Sequence, residues 1–145
     1  MKKKLLENNG APPRPVLLIG WGREGVKDIA AARNEFPCDE GMDCVDAWGA
    51  DSTDVLDLIE DWLKDNPNAQ FLYIGSHGNR EGLTPVGKPK LGDPKIRWAK
   101  LAAALSKAKK PITLWLGACS SALAAGAWEE DPPPVNLIAG FSGTA

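Results

Sequence analysis

Apolar residues occupy almost every position in four short stretches of the chain. These stretches read VLLIGWG at 16–22, QFLYIGS at 70–76, ITLWLGA at 112–118 and VNLIAGFS at 135–142. Strands that are buried on both faces of a parallel sheet have this continuous apolar pattern. A less uniform stretch, CVDAWGA at 44–50, predicts a further strand, the second in chain order. We therefore expect a sheet of five strands.

Helical periodicity is clearest in DSTDVLDLIEDWLKDN at 51–66, where Asp51 or Ser52 can cap the helix N-terminus. The apolar positions of this segment fall on one side of a helix, as in an amphipathic helix that packs on a core. The residues that we expect to be buried there are Val55, Leu56, Ile59, Trp62 and Leu63.

Three further helices are predicted between the other strands. REGVKDIAAARNEF at 23–36 follows the first strand, and KIRWAKLAAALSKAKK at 95–110 ends before a proline with lysines in its last turn. SSALAAGAWEE at 120–130 is a short helix. Residues 78–95, by contrast, contain four glycines and three prolines, which predict a long loop without a regular element of any length. A loop this long in a compact domain is usually functional or mobile.

The alternation of strands and helices predicts an α/β fold with a mostly parallel five-stranded sheet and helices on both faces, which makes three layers. We expect one domain over residues 15–145, preceded by a flexible N-terminal tail at 1–14, because 145 residues provide one core and hardly two. Such sheets bind their ligands beyond the carboxyl ends of the strands.

Charge and hydropathy mainly exclude functions. The net charge of −2 lacks the basic surplus of a general nucleic-acid binder. No apolar run approaches the length of a membrane span, so we expect no membrane partner. The lysines at 2–4 are followed by LLENNG, which contains no apolar run of the length that a secretory signal needs.

The three cysteines, Cys38, Cys44 and Cys119, are an odd number. Without a secretory signal, this count favours reduced thiols and a cytoplasmic location. Cys38 and Cys44 lack the spacing and the second ligand pair of a zinc site. We interpret these two as packing or loop residues and expect no metal and no cofactor.

Two reactive side chains follow two successive apolar strands. His77, the only histidine, comes directly after QFLYIGS, and Cys119 comes directly after ITLWLGA. The helix that begins after Cys119 is expected to lower the pKa of its thiol, and a neighbouring imidazole to lower it further. The backbone N–H groups of Gly78 and Cys119 are candidates for stabilising an oxyanion. Gly78 and Gly117 flank the pair and are expected to keep the site open.

A competing motif is GWGREG at 20–25, which places Gly20, Gly22 and Gly25 between a strand and a helix. Together with Asp46 near the end of the second strand, it contains the parts of a dinucleotide-binding site. The motif is short and glycine is abundant, with 15 residues in the chain. A tight turn between strand and helix is the alternative interpretation.

The two strand-end motifs resemble those of the caspase-like cysteine peptidases, the group that includes caspases, metacaspases, separase, gingipains and CHAT domains. FLYIGSHG resembles the family's apolar strand that ends in His-Gly, and ITLWLGAC resembles its strand that ends in Ala-Cys. His77 and Cys119 are 42 residues apart, near the roughly 50 of caspases. VLLIG also resembles the first strand of the family, and VNLIAGFSGTA resembles the strand after the catalytic helix. The resemblance covers about residues 15–145.

This resemblance implies a caspase-like, flavodoxin-type fold and a cysteine endopeptidase that forms an acyl-enzyme intermediate on a peptide substrate. By the resemblance, Cys119 is the nucleophile, His77 is the general acid and base, and Gly78 and Cys119 supply the oxyanion N–H groups. The family normally continues with a further strand and pocket loops, which would lie beyond residue 145. Pairing along the sheet edge in the family implies a homodimer or a partner chain.

Three residues are candidates for selecting the substrate, and they favour different substrates. Arg23 stands where caspases have an arginine that binds an acidic side chain, and Arg80 is a weaker candidate beside the His-Gly motif. Asp46 would select a basic residue instead. Ala118 precedes the cysteine where caspases have glutamine and metacaspases have an acid, so neither specificity is implied. Two other functions stay open: a catalytically inactive caspase-like binding or scaffold module, and a nucleotide-binding domain that uses GWGREG.

Overall fold

A computed structural model of the chain describes residues 14–22, 41–84, 95–118 and 121–139. Its main sheet has five parallel strands in the order β2-β1-β3-β7-β8. Their bounds are β1 Val16–Gly20, β2 Met42–Asp46, β3 Phe71–Gly75, β7 Ile112–Gly117 and β8 Val135–Ala139. The α/β class and the five parallel strands are therefore confirmed. The helix predicted at 23–36 lies outside the described residues.

Three helices and a small second sheet complete the described elements. The helices are α1 Ser52–Asp65, α2 Trp98–Leu105 and α3 Leu123–Ala127. The small sheet is antiparallel and consists of β4 Gly78–Asn79, β5 Gly82–Leu83 and β6 Ile96–Arg97. It occupies the two described ends of the segment that was predicted to be a long loop. No helix in the described ranges is long and apolar enough to cross a membrane.

Helix α1 begins as its sequence predicts. The carboxylate of Asp51 accepts a hydrogen bond from the N–H of Asp54 at 2.8 Å, and the Asp54 carboxylate accepts one from the N–H of Asp51 at 3.2 Å. This reciprocal capping box satisfies two N–H groups that the first helical turn leaves without partners. Five of the side chains on its inner face are apolar and buried: Val55, Leu58, Ile59, Trp62 and Leu63.

The core cluster of the described residues lies on one face of the main sheet. Alternate strand residues on this face are fully buried and belong to one cluster with the inner residues of α1 and α2. They include Leu17, Ile19, Leu72, Ile74, Leu114 and Leu116. On the opposite face, Trp115 and Ile138 pair across β7 and β8 and are 46% and 47% exposed. The expectation that every strand is buried on both faces is therefore wrong for β7 and β8.

Several predicted boundaries differ from those in the structure, and local hydrogen bonds account for two of them. The second strand was expected over 44–50 but ends at Asp46, because the Asp46 carboxylate accepts the N–H of Trp48 and turns the chain. The helix predicted to end at Lys110 ends at Leu105, and tighter turns follow, with the Lys107 N–H donating to the Ala104 carbonyl. The lysines therefore lie beyond the last turn of α2.

Strand order places a reversal point between β1 and β3. The chain passes from β1 to β2 on one side and then crosses to β3 on the other side of β1. In open α/β sheets, ligands bind beyond the carboxyl ends of the strands at such a point. The residues after β3, beginning with Ser76 and His77, lie at this edge.

Candidate functional site

The carboxyl ends of β3 and β7 lie side by side in register. Gly75 at the end of β3 pairs with Gly117 at the end of β7. His77 is two residues beyond Gly75, and Cys119 is two residues beyond Gly117 in the sequence. The structure thus brings together the two strand ends that carry the candidate residues. Cys119 itself lies outside the described residues.

Hydrogen bonds hold the backbone before His77 on both sides. The N–H of Trp21 donates to the carbonyl of Gly75 at 2.9 Å, and the N–H of Ser76 donates to the carbonyl of Gly117 at 3.2 Å. These bonds fix the end of β3 between the ends of β1 and β7. His77 therefore begins from a rigid part of the sheet, which is the arrangement that a catalytic side chain requires.

The small antiparallel sheet fixes His77 from the other side. Its carbonyl accepts the N–H of Thr84 at 2.8 Å, so the backbone of His77 is tied to the far end of the hairpin. The indole N–H of Trp98 donates to the carbonyl of Arg80 at 3.1 Å and thereby attaches the hairpin to α2. His77 is half-buried between these elements.

Glycine is required at one position of this hairpin. Gly82 has φ +157°, and a Cβ there would lie 2.0 Å from the carbonyl oxygen of Ile96 on the neighbouring strand. Any side chain at this position would force β5 away from β6. The glycines of the segment 78–95 therefore do more than prevent regular structure, because this one permits close strand pairing.

Gly78 presents its amide away from the hairpin. Gly78 and Leu83 form a non-hydrogen-bonded pair of the antiparallel ladder, because the neighbouring hydrogen bond runs from the Thr84 N–H to the His77 carbonyl. In such a pair, the N–H groups of the two residues point away from the partner strand. Strand β4 is also an edge of the small sheet. The Gly78 amide therefore has no ladder partner within the described small sheet, as an oxyanion donor requires.

An ion pair joins the turn between β4 and β5 to the residue just before β6. The ammonium of Lys95 donates a hydrogen bond to the carboxylate of Glu81. This hydrogen bond, followed by the charges of Lys95 and Arg97, lowers the pKa of Glu81 below its ordinary value. Glu81 therefore stays ionised into more acidic solution than a free glutamate does.

The space beside Gly117 is filled, although the sequence analysis expected it to be open. A Cβ built on Gly117 would lie 2.6 Å from the hydroxyl oxygen of Tyr73, and one on Gly75 would lie 3.0 Å from the same oxygen. The phenol of Tyr73 thus lies across both glycines at the carboxyl edge. Tyr73 was not among the predicted site residues, and the two glycines at paired strand ends were the signal that could have indicated it.

Two buried hydroxyl groups beside the site also escaped the sequence analysis. Ser76 and Ser121 are 5% and 0% exposed, and neither Oγ atom has a hydrogen-bond partner among the described residues. Ser76 immediately precedes His77, and Ser121 is two residues after Cys119. Unsatisfied buried hydroxyls cost stability and are uncommon in cores. Such a cost is typical of functional sites.

The candidates for substrate selection are dispersed. Asp46 is at the end of β2, opposite Gly20, with β1 between it and β3. Two strand spacings place it roughly 10 Å from the end of β3. Arg80 is exposed on the turn between β4 and β5. Arg23 and Gly25 lie outside the described residues.

Cys44 is disulfide-bonded, which contradicts the expectation of reduced cysteines. This disulfide removes the cysteine argument for a cytoplasmic location, which stays a prediction.

The described residues contain no group of three or more histidine, cysteine, aspartate or glutamate side chains that could hold a metal ion. Comparisons with protein-family models, with curated proteins and with solved structures found no match to the chain.

Proposed function

We propose that the chain is a caspase-like cysteine endopeptidase in which Cys119 and His77 form a catalytic dyad. The observation that carries this proposal is the in-register pairing of Gly75 with Gly117, which makes the two candidate residues equivalent extensions of adjacent strands. The strand order of the main sheet, 2-1-3-4-5 when its five strands are numbered alone, is that of flavodoxin-type folds and supports the proposed fold.

In the proposed reaction, the Cys119 thiolate attacks the carbonyl carbon of the scissile peptide bond. The N–H groups of Gly78 and Cys119 stabilise the oxyanion that forms. The C–N bond then breaks, and the imidazolium of His77 gives its proton to the leaving amine. Water hydrolyses the resulting thioester, with His77 as the general base, and regenerates the thiol.

Thiol labelling as a function of pH tests the dyad. We expect Cys119 to react with iodoacetamide near neutral pH in the wild type and to slow markedly in His77→Ala, with the labelled residue read by mass spectrometry. Asn79→Ala is a matched control, because Asn79 belongs to the same hairpin and lies two residues away. If Cys119 behaves as an ordinary thiol with a pKa near 8.5 in all three proteins, the dyad does not exist.

Peptide cleavage tests the activity. A library of peptides that varies the residue before the scissile bond should be cleaved by the wild type and left intact by Cys119→Ala. A reactive Cys119 with no cleaved peptide would contradict the endopeptidase.

A binding module is the second candidate, and one observation favours it. Trp115 and Ile138 form an exposed apolar pair on β7 and on the edge strand β8. An apolar surface next to a strand edge suits contact with another polypeptide. Cys119 that labels as an ordinary thiol, together with binding that needs Trp115, would favour this module over the peptidase.

The nucleotide-binding alternative has less support. Dinucleotide-binding folds have the strand order 3-2-1-4-5-6, which differs from the order here. The Asp46 carboxylate, the candidate for a ribose hydroxyl, accepts the N–H of Trp48 in its own turn. A rise in melting temperature with NAD or ATP would favour this alternative.

A further inference from the structure

An open cleft lies at the amino ends of β3 and β7, at the opposite edge of the main sheet from His77. It has a volume of about 570 Å³, which is within the range of small-molecule sites. The two strands pair in register where they begin, with Phe71 opposite Thr113. The residues that line the cleft come from these strand starts and from the turns before them: Asn68, Ala69, Gln70, Lys110, Pro111 and Thr113.

Hydrogen bonds fix the backbone on both sides of the cleft. The carbonyl of Gln70 accepts the N–H of Thr113 at 2.9 Å, and the N–H of Gln70 donates to the carbonyl of Pro15 at 2.8 Å. On the β7 side, the N–H of Ile112 donates to the carbonyl of Pro134 at 3.0 Å. The lining side chains therefore start from fixed backbone positions, which reduces the ordering cost of binding a ligand.

Four of the lining side chains are polar, and they belong to Asn68, Gln70, Lys110 and Thr113. Within the described part of the chain, no hydrogen bond or ion pair engages these side chains. An ammonium, two amides and a hydroxyl can all donate hydrogen bonds. The described lining carries one positive charge and no negative charge. This set of groups suits an anion whose oxygen atoms only accept hydrogen bonds.

The position of Lys110 follows from the early end of α2. The sequence predicts Lys107, Lys109 and Lys110 near the last turn of a helix, where lysines can bind the last carbonyl groups. Because α2 ends at Leu105, Lys110 instead lies well beyond the helix and next to β7. All three lysines are exposed, and none forms an ion pair with the described residues. The charge of Lys110 is therefore available to a ligand in the cleft.

We propose that this cleft binds a phosphorylated small molecule, with the phosphate group on Lys110. The phosphate accepts hydrogen bonds from the Lys110 ammonium, the Thr113 hydroxyl and the side-chain amides beside them. A phosphate suits the cleft better than a carboxylate because it brings more acceptor oxygens to the four donor side chains. The cleft is much larger than a phosphate group alone, so the rest of the molecule lies against Ala69 and Pro111. This site does not depend on the proposed peptidase function.

Titration of the isotope-labelled protein, followed by NMR, tests the proposal. The probes are glycerol 3-phosphate, inorganic phosphate and, as a molecule without phosphate, glycerol. We expect glycerol 3-phosphate to shift the amide signals of Ala69, Gln70 and Thr113 with saturation and to bind more tightly than inorganic phosphate. Glycerol should leave these signals unchanged.

Two variants locate the phosphate. Lys110→Gln should raise the Kd for glycerol 3-phosphate roughly 10-fold, because it removes a charge-assisted hydrogen bond. Thr113→Val should raise this Kd about 3-fold, the effect of one neutral hydrogen bond. Lys107→Gln is the matched control and should leave the Kd unchanged, because Lys107 is an equally exposed lysine that does not line the cleft.

Three results would overturn the proposal. Equal weakening in Lys110→Gln and Lys107→Gln would indicate a general attraction of anions to the lysines and no site in the cleft. Signal shifts that do not saturate, or that glycerol also produces, would exclude recognition of the phosphate. A phosphopeptide that binds through the same residues more tightly than glycerol 3-phosphate would make the ligand a protein and not a small molecule.

Discussion

Leu72, Leu114 and Leu116 are fully buried on one face of the main sheet, whereas Trp115 and Ile138 remain about half exposed on the other. The strands that carry these residues, β3, β7 and β8, look alike in sequence, since each is largely apolar, but their two faces differ. The first face packs on α1 and α2 and provides the core. The second holds Tyr73, whose hydroxyl lies close to the two paired glycines. Among the described residues, the clustered core and the Tyr73 phenol therefore lie on opposite faces.

The largest difference between the faces should appear in unfolding by denaturant. Leu114→Ala removes a fully buried side chain and should destabilise the protein by roughly 2–5 kcal/mol, because the cavity collapses only partly. Ile138→Ala on the second face should cost clearly less, about 1 kcal/mol or below, because the side chain is half exposed already. Equal losses of unfolding free energy in the two variants would show that both faces of the sheet are packed in the core.

Gly117→Ala tests whether the second face is packed at the carboxyl edge. We expect a loss of roughly 1–3 kcal/mol, since the new methyl group meets the Tyr73 hydroxyl at 2.6 Å. In Tyr73→Phe the nearest ring atom is at 3.2 Å, so the same substitution should cost less there. A double-mutant cycle measures this difference. Gly126→Ala is the control: a Cβ built there meets no atom of the other described elements within 4 Å, and alanine in α3 should stabilise by up to about 1 kcal/mol.

Two buried polar side chains, Asn66 and Ser76, should differ by less in their contribution to the free energy of unfolding. Asn66 is 1% exposed, and its amide donates to the carbonyl of Trp62 at 2.7 Å, so Asn66→Ala should cost about 1–3 kcal/mol. Ser76 is similarly buried but has no partner among the described residues. Ser76→Ala should therefore be neutral or stabilising by up to about 1 kcal/mol. If it is as costly as Asn66→Ala, the Ser76 hydroxyl has a partner in solution.

The smallest effect concerns the ion pair of the small sheet. The pKa of Glu81 is lower in the folded protein, so the folded state binds this proton less readily than the unfolded chain does. Its contribution to stability is present above the ordinary pKa of glutamate and is lost as the pH falls through the lowered value. Glu81→Gln should thus melt slightly below the wild type at pH 7 and together with it in strong acid. A difference in melting temperature between the two proteins that grows in acid would contradict the lowered pKa of Glu81.

Local sequence patterns predicted many of the elements. The capping box at Asp51 and the one-sided apolar pattern of α1 come from residues within one or two turns, so they can be identified without knowing the fold. The continuous apolar runs similarly indicated four strands, and a less uniform stretch indicated a fifth, which ends at Asp46 because a side chain turns the chain there. The candidate pair could be proposed because His77 and Cys119 each follow such a run.

The sequence by itself determined the class of fold, the places of most of the described strands and helices, and the two candidate residues at strand ends, because each depends on neighbours along the chain. Only the tertiary structure decided that β3 and β7 are adjacent and on which face of the sheet the described core cluster lies. It also decided that the Tyr73 hydroxyl fills the space over Gly75 and Gly117. These features depend on contacts between residues about 40 positions apart, and a continuous apolar strand gives no sign of which of its faces will be covered.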